Sequence, residues 1–162
     1  MISIALYGRV GQGVRSATRI LAKSAFYTGQ QVQCLIPYAN GVQTGFMKID
    51  KAAITSRGLA EHDFFLIFDA RIDANLKNAK NGAVIIVNAS EKPKIKTKNK
   101  TKIFYVNAAE MAIATKSMPN LAMLGALAKV YGRLPMKHIK TSVEEEGLLM
   151  QSVEEGFRSV KR

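Results

Sequence analysis

The sequence contains a single cysteine, Cys34, and no tryptophan among its 162 residues. One thiol cannot form an internal disulfide, and it cannot supply the several thiolates that an iron–sulfur cluster or a structural zinc site needs. Any redox function would therefore depend on metal centres carried by another chain. Because Cys34 lies in an apolar, strand-like context, we expect it to be a small core residue rather than a nucleophile.

Long hydrophobic runs are also absent. No apolar stretch approaches the roughly 20 residues that cross a bilayer, and no basic region precedes such a stretch at the N-terminus. We therefore expect a cytoplasmic protein with no membrane partner. The hydrophobic fraction of 48% is enough for a core, and the length predicts one domain over residues 1–162.

Acidic residues are scarce, with 12 against 24 lysines and arginines, so the net charge is +12. Part of this charge lies in one segment where every second residue is lysine: Lys92, Lys94, Lys96, Lys98, Lys100 and Lys102. Such a run is typical of a solvated loop or an exposed edge strand, and it is also compatible with docking of an acidic partner or a polyphosphate. Because aromatic residues are sparse and no nucleic-acid motif is visible, we expect no nucleic-acid partner.

Apolar runs without alternation, separated by helical patterns, predict a mostly parallel sheet. The predicted strands are Ile2–Tyr7, Gln31–Ile36, Phe46–Asp50, Ala53–Thr55, Phe64–Phe68, Ala83–Val87 and Ile103–Val106. The predicted helices are Val14–Tyr27, Asp73–Ala79, Ala108–Thr115, Leu121–Tyr131 with Asn120 as its N-cap, Met136–Val143 and Leu148–Val160. We expect an α/β fold: a single three-layer α/β/α domain, Rossmann-like, with a helical C-terminal tail. The Pro37–Gly45 segment is predicted to be a loop, and an antiparallel strand near Lys51 would make the sheet mixed.

The segment Tyr7–Val14 reads YGRVGQGV and joins the first predicted strand to the first predicted helix. A strand that breaks into glycines and restarts as a helix directs backbone N–H groups at an anion, usually phosphate. The spacing of Gly8, Gly11 and Gly13 is not the dinucleotide fingerprint, and no acidic residue follows the second strand, so an ordinary NAD or FAD site is disfavoured. The spacing of the glycines alone favours a plain structural role, a tight strand-to-helix turn with close helix packing.

The longer string GRVGQGV, followed by a helix ending AFYTG, resembles the opening of the gamma subunit of 2-oxoacid:ferredoxin oxidoreductases, the pyruvate:ferredoxin oxidoreductase type. Other landmarks of that family agree in order and approximate spacing over about 1–132. They are Phe46–Asp50 with Ile54, the D-x-x-x-x-x-D strand Asp63–Asp69, the strand Val84–Asn88 and the N-x-x-x-L-G-A-L helix Asn120–Leu127.

The resemblance implies a subunit of a complex that oxidatively decarboxylates a 2-oxoacid, pyruvate or 2-oxoglutarate, to acyl-CoA. It also implies that alpha, beta and delta-type partner subunits hold thiamine diphosphate and iron–sulfur clusters, and that ferredoxin accepts the electrons. This chain would carry no catalytic residue and no metal ligand, and His62 and His138 are expected to be structural or surface residues. It would assist assembly and contact coenzyme A, with Arg9 and a helix N-terminus suited to a pyrophosphate. The candidate binding residues are Gly8, Arg9, Gly11, Gln12, Gly13, Val14, Asn40 and Gly41.

The sequence leaves two other functional classes open. One is a stand-alone phosphate- or nucleotide-binding α/β domain without oxidoreductase partners. The other is a structural relative whose turn has lost ligand binding. Val10 stands where the family usually has glycine, and the loop from Tyr38 to Gly45 lacks the acidic residue and the arginine that are often found there.

Overall fold

The computed structural model describes residues 1–37, 41–56, 58 and 61–162. Its strands are β1 (Ile2–Arg9), β2 (Gln31–Leu35), β3 (Val42–Asp50), β4 (His62–Ile67), β5 (Ala79–Asn88) and β6 (Lys102–Val106). Its α-helices are α1 (Val14–Phe26), α2 (Ala108–Ala114), α3 (Pro119–Tyr131), α4 (Met136–Glu145) and α5 (Gln151–Ser159), and Leu76–Asn78 forms a 3₁₀ turn. None of the described helices is both long and apolar enough to cross a membrane.

The six described strands form one sheet in the order β2-β3-β1-β4-β5-β6. β1, β4, β5 and β6 pair in parallel, whereas β3 runs antiparallel to both of its neighbours. Leu6 in the middle of β1 lies opposite Gly45 on one side and Leu66 on the other. The predicted α/β class and the mixed sheet are confirmed, and the antiparallel strand is the one that ends just before Lys51.

All five helices pack on one face of the sheet. Because side chains alternate along a strand, Ile4 and Leu6 of β1 point to this face, and α1 contributes Ile20 and Leu21 to the same cluster. α1 and α3 contact the sheet, while α4 packs on α1 and α5 packs on α3. The predicted helical C-terminal part is therefore confirmed, and it serves as an outer layer over the two inner helices.

The opposite face of the sheet is covered by irregular segments rather than by α-helices, so within the described residues the α/β fold lacks the second helical layer of the expected α/β/α arrangement. Ile72, Leu76 and Ile95 pack there against the second apolar cluster, which includes Phe65 and Ile85. The predicted helix Asp73–Ala79 is reduced to the 3₁₀ turn. The Asn75 side chain accepts a hydrogen bond from the backbone N–H of Lys77 (3.3 Å), a local bond that competes with the helical pattern.

Three predictions on β2 and the residues after it are wrong. Cys34 is exposed and not a core residue, because β2 is an edge strand and its neighbour Leu35 is also half exposed. Residues 42–45 of the expected loop Pro37–Gly45 belong instead to β3, which begins at Val42, and residues 38–40 lie outside the described part of the chain. The short strand expected at Ala53–Thr55 does not form.

Asn120 is not the N-cap of α3, which is a further correction. Met118 holds that position with an extended backbone, and Pro119 is the first helical residue. Proline is well suited there because its missing N–H would have no helical partner. The end of the helix is as predicted, since Gly132 is its C-cap with φ +66°. Asn120 is thereby placed inside the first turn, fully buried, where it contacts the glycine turn.

Candidate functional site

The glycine turn, residues 8–14, lies at the carboxyl end of β1, a central strand. Gly11 and Gly13 have φ +90° and +80°, values that favour glycine. The Gln12 side chain closes the turn by accepting a hydrogen bond from the N–H of Arg9 (2.7 Å), and the Gln12 N–H donates to the Arg9 carbonyl (3.1 Å). Both of these bonds lie within the turn itself.

The N-terminus of α1 opens directly from this turn. Gly13 is the N-cap and contributes no side-chain hydrogen bond, and the first turn of the helix contains no acidic residue. The first N–H groups of a helix have no partner within the helix, and the helix dipole adds a partial positive charge there. This end of α1 therefore suits a negatively charged ligand group.

Gly8 and Gly13 allow close packing beneath the turn. A Cβ atom on Gly8 would lie 2.7 Å from Val14 Cγ2, and one on Gly13 would lie 2.6 Å from Asn120 Nδ2. The Asn120 amide donates to the Gly13 carbonyl (3.2 Å), which ties α3 to the start of α1. Gly8 and Val14 are buried, so among the sequence-predicted site residues these two support the turn from below.

Arg9 is held by a buried carboxylate that follows β4. Its Nε donates to Asp69 Oδ2 (2.8 Å), and Asp69 also accepts hydrogen bonds from the guanidinium of Arg71 (2.9 Å) and from the Arg71 backbone N–H (3.0 Å). The Asp69 side chain is 5% exposed, whereas those of Arg9 and Arg71 are 54% and 80% exposed. The bonds from Arg71, joined by that from Arg9, hold the pKa of Asp69 well below its usual range. Asp69 thus stays ionised and orients two arginines beside the glycine turn.

Arg9, Arg71 and Gly41 line one open pocket of about 540 Å³ beside the turn, together with Val10, Val42, Ile72 and Asp73. Gly41 has φ +87° and leads into β3, which pairs with β1. The structure thus brings the predicted Arg9 and Gly41 to one place. Asn40, the other predicted residue of that loop, lies outside the described residues.

Sequence reasoning missed Asp69, Arg71 and Asn120 as neighbours of the turn. Asp69 directly follows a buried strand, which was a usable signal, because the carboxyl ends of parallel strands meet at one edge of a sheet. Only the strand order puts β4 next to β1, however, and the sequence does not state that order. Asn120 was recognised as a family landmark but was assigned to a helix cap.

The two histidines lie away from this pocket. His62 is buried, its Nδ1 lies 2.8 Å from Ser3 Oγ, and its ring stacks on Phe46. Burial lowers its pKa, so the neutral imidazole is favoured. The ring of His138 lies near Tyr27, between α4 and the end of α1. Among the described residues, no group of three His, Cys, Asp or Glu side chains could hold a metal ion.

The chain is thus an α/β domain with a glycine turn at the carboxyl end of a central strand and two oriented arginines beside it, an arrangement that suits an anion. The family model described as pyruvate ferredoxin/flavodoxin oxidoreductase matches residues 3–153. The chain belongs to this family, and the resemblance found in its sequence is confirmed.

Curated relatives carry names of the same kind. The pyruvate/ketoisovalerate oxidoreductases common subunit gamma of Pyrococcus abyssi is 30% identical, over 90% of this chain and 86% of the relative. The pyruvate synthase subunit PorC of Methanocaldococcus jannaschii is 32% identical, over 88% of this chain and 84% of the relative.

Solved structures share the fold. Pyruvate oxidoreductase subunit PORC of Thermotoga maritima superposes with a TM-score of 0.85 at 24% identity, covering 99% of this chain and 97% of that one. The 2-oxoglutarate:ferredoxin oxidoreductase of Magnetococcus marinus, solved with 2-oxoglutarate, coenzyme A and succinyl-CoA bound, gives a TM-score of 0.78 at 15% identity. That match covers 97% of this chain and 30% of the larger one, so the fold recurs within a larger polypeptide.

Proposed function

We propose that this chain is the gamma-type subunit of a 2-oxoacid:ferredoxin oxidoreductase, a complex that converts pyruvate or 2-oxoglutarate to acyl-CoA. Family membership over residues 3–153 and relatives named as gamma or PorC subunits support this role. In the proposed assembly, residues 1–162 act as one domain that packs against alpha, beta and delta-type subunits. Ferredoxin accepts the electrons of the complex.

Within that complex, the glycine turn contacts the diphosphate of coenzyme A. The observation that carries this assignment is the pairing of an uncapped α1 N-terminus with the two exposed guanidinium groups held on Asp69. Backbone N–H groups would donate to phosphate oxygens, and Arg9 and Arg71 would add charge-assisted hydrogen bonds. Gly41 would border the same ligand, since it lines the pocket with both arginines.

Thiamine diphosphate and the iron–sulfur clusters belong to the partner subunits in this proposal. The chain has one cysteine, Cys34, which is exposed on an edge strand and has no companion thiolate. The oxidation is therefore carried out by groups on other chains. In this proposal, the residues of this chain bind and orient coenzyme A and supply contact surface. The cytoplasmic location expected from the sequence stays a prediction.

The test is a thermal shift of the natively purified complex with and without coenzyme A. Arg9→Ala should reduce coenzyme A affinity about tenfold, because one charge-assisted hydrogen bond of about 1.5 kcal/mol is lost. The stabilisation by coenzyme A should shrink accordingly. Arg133→Ala is the matched control, since Arg133 is exposed beside Met1 and Ile2 at the start of β1. An unchanged shift in Arg9→Ala would remove Arg9 from the site.

Co-purification separates this proposal from a stand-alone phosphate-binding domain. Native isolation should recover the chain together with a thiamine-dependent enzyme and a ferredoxin-like polypeptide. A lone chain that binds a nucleotide tightly would support the alternative instead. Activity that survives in complexes with an altered glycine turn would favour a purely structural subunit.

A further inference from the structure

The face of the sheet opposite the helices carries a groove that takes no part in the proposed coenzyme A contact. This lysine groove lies between residues 72–77 and residues 94–98 and has a volume of about 500 Å³. Its floor consists of apolar side chains at the ends of β4 and β5 and on the two irregular segments: Ile67, Ile72, Leu76, Val87 and Ile95.

One side of the groove is lined by a row of alternating lysines. Lys94, Lys96 and Lys98 are exposed, whereas Ile95 and Thr97 between them are half-buried. In an extended backbone, alternate side chains point to the same side, about 7 Å apart. The apolar residue of the segment is therefore turned to the sheet, and its lysines are turned to the solvent.

Hydrogen bonds attach the end of the lysine segment, residues 97–100, to the sheet. The Asn99 amide donates to the Ala79 carbonyl (2.6 Å), and the Gly82 N–H donates to the Lys100 carbonyl (2.7 Å). Thr97 Oγ1 donates to the carbonyl of Asn99 (2.8 Å). The first two bonds attach residues 99 and 100 to β5, and the third braces Thr97 against this attached end.

The positive charges of these lysines are not neutralised by carboxylates within the described part of the chain. In the part of the chain that the structure describes, none of the lysines from Lys92 to Lys102 takes part in an ion pair. Asp73 is the single carboxylate among the described residues that line the groove. The lysines at 94, 96 and 98 do not lie on a strand, so protection of a sheet edge does not account for them.

We propose that the lysine groove docks an acidic segment of a partner protein that carries at least one apolar side chain. Carboxylates complement the three ammonium groups, and the apolar side chain covers the floor between Ile72 and Ile95. A polyphosphate would leave that floor in water. A nucleic acid would lack a stacking platform, because none of the described residues that line the groove is aromatic.

Carbodiimide cross-linking of the natively purified assembly tests this docking, because the reagent joins a lysine directly to a carboxylate in contact with it. Mass spectrometry should find Lys94, Lys96 or Lys98 joined to aspartates or glutamates within one contiguous segment of one partner polypeptide. A synthetic peptide of that segment then serves as the probe for binding to the full chain.

The variant Lys94→Glu/Lys96→Glu/Lys98→Glu should weaken binding of the peptide at least about tenfold, because attraction is replaced by like-charge repulsion. The control Lys51→Glu/Lys116→Glu/Lys137→Glu makes the same change in net charge at exposed lysines outside the groove. It should leave binding within about twofold, since distant surface charges are screened by salt. Far-UV circular dichroism of both variants checks that they are folded.

Three results would overturn the docking proposal. One is the absence of cross-links from the groove lysines while other lysines of the chain react. A second is equal weakening by the groove variant and its control. The third is release of polyphosphate or nucleic acid, instead of a polypeptide, when the groove charges are reversed.

Discussion

The Asp69 carboxylate organises the candidate site because it is the only buried group that contacts both arginines of the pocket among the described residues. Arg9 comes from the glycine turn, and Arg71 comes from the segment after β4. Without the carboxylate, two exposed guanidinium groups would repel each other and lose their orientation. We therefore regard Asp69 as a positioning residue for the proposed anion site.

Asp69→Asn should lower the free energy of unfolding of the full chain by about 1 to 2 kcal/mol at pH 7, a value kept small because both guanidinium groups are largely exposed. The folded-state pKa of Asp69 lies below its unfolded value of about 3.9, so its contribution is present at neutral pH. It is lost as the pH falls below that value. Urea unfolding at several pH values should show the difference between wild type and variant shrinking below about pH 4.

Asp73→Asn is the matched control for this titration. Asp73 is exposed, lines the same pocket and takes part in no ion pair within the described residues. It should therefore unfold like the wild type across the pH series. A difference for Asp69→Asn that stays constant down to pH 2 would contradict the account.

At the scale of helices and strands, the contact between α3 and α5 explains a sequence landmark. A Cβ atom on Gly125 would collide with the backbone carbonyl of Val153, and one on Gly156 would collide with the carbonyl of Ala122. The two helix backbones therefore touch through paired glycines. The glycine of the L-G-A-L string is needed for this packing, not for flexibility, and the sequence pattern alone did not disclose that reason.

Gly125→Ala should destabilise the full chain by about 3 kcal/mol, at the upper end of overpacking, because the obstacle is backbone and cannot change rotamer. Gly156→Ala should have a similar effect for the same reason. Gly58→Ala, where a Cβ would meet open space, should change stability by less than about 0.5 kcal/mol. Denaturant midpoints measure all three, and equal midpoints for Gly125→Ala and Gly58→Ala would refute the close contact.

Hydrophobic pattern predicted the buried strands and the amphipathic helices well, because burial on one side imposes a period. It failed where burial is incomplete or where side chains compete with the backbone. β2 lies at the sheet edge, so its apolar pattern did not bury Cys34. The segment around Asn75 formed a 3₁₀ turn, because the Asn75 side chain bonds the backbone locally. Asn120 was misplaced since Pro119 had already begun the helix.

At the scale of the whole molecule, the strand–glycine–helix turn could be predicted because its parts are contiguous in the sequence, whereas anion binding by the turn stays a prediction. The arginine pair could not be predicted, since Asp69 and Arg71 are about 60 residues from Arg9 and become neighbours only through the strand order. The same limit applies to the lysine groove. Its charges are obvious in the sequence, but its apolar floor is assembled from four separate segments.

The most direct measurement is the steady-state KM for coenzyme A of the natively assembled oxidoreductase carrying Arg9→Ala/Arg71→Ala. We expect this KM to rise about 100-fold, because two charge-assisted hydrogen bonds of about 1.5 kcal/mol each are lost, while the KM for the 2-oxoacid stays within about twofold. An unchanged KM for coenzyme A in an intact, active complex would contradict the claim that this chain contacts coenzyme A.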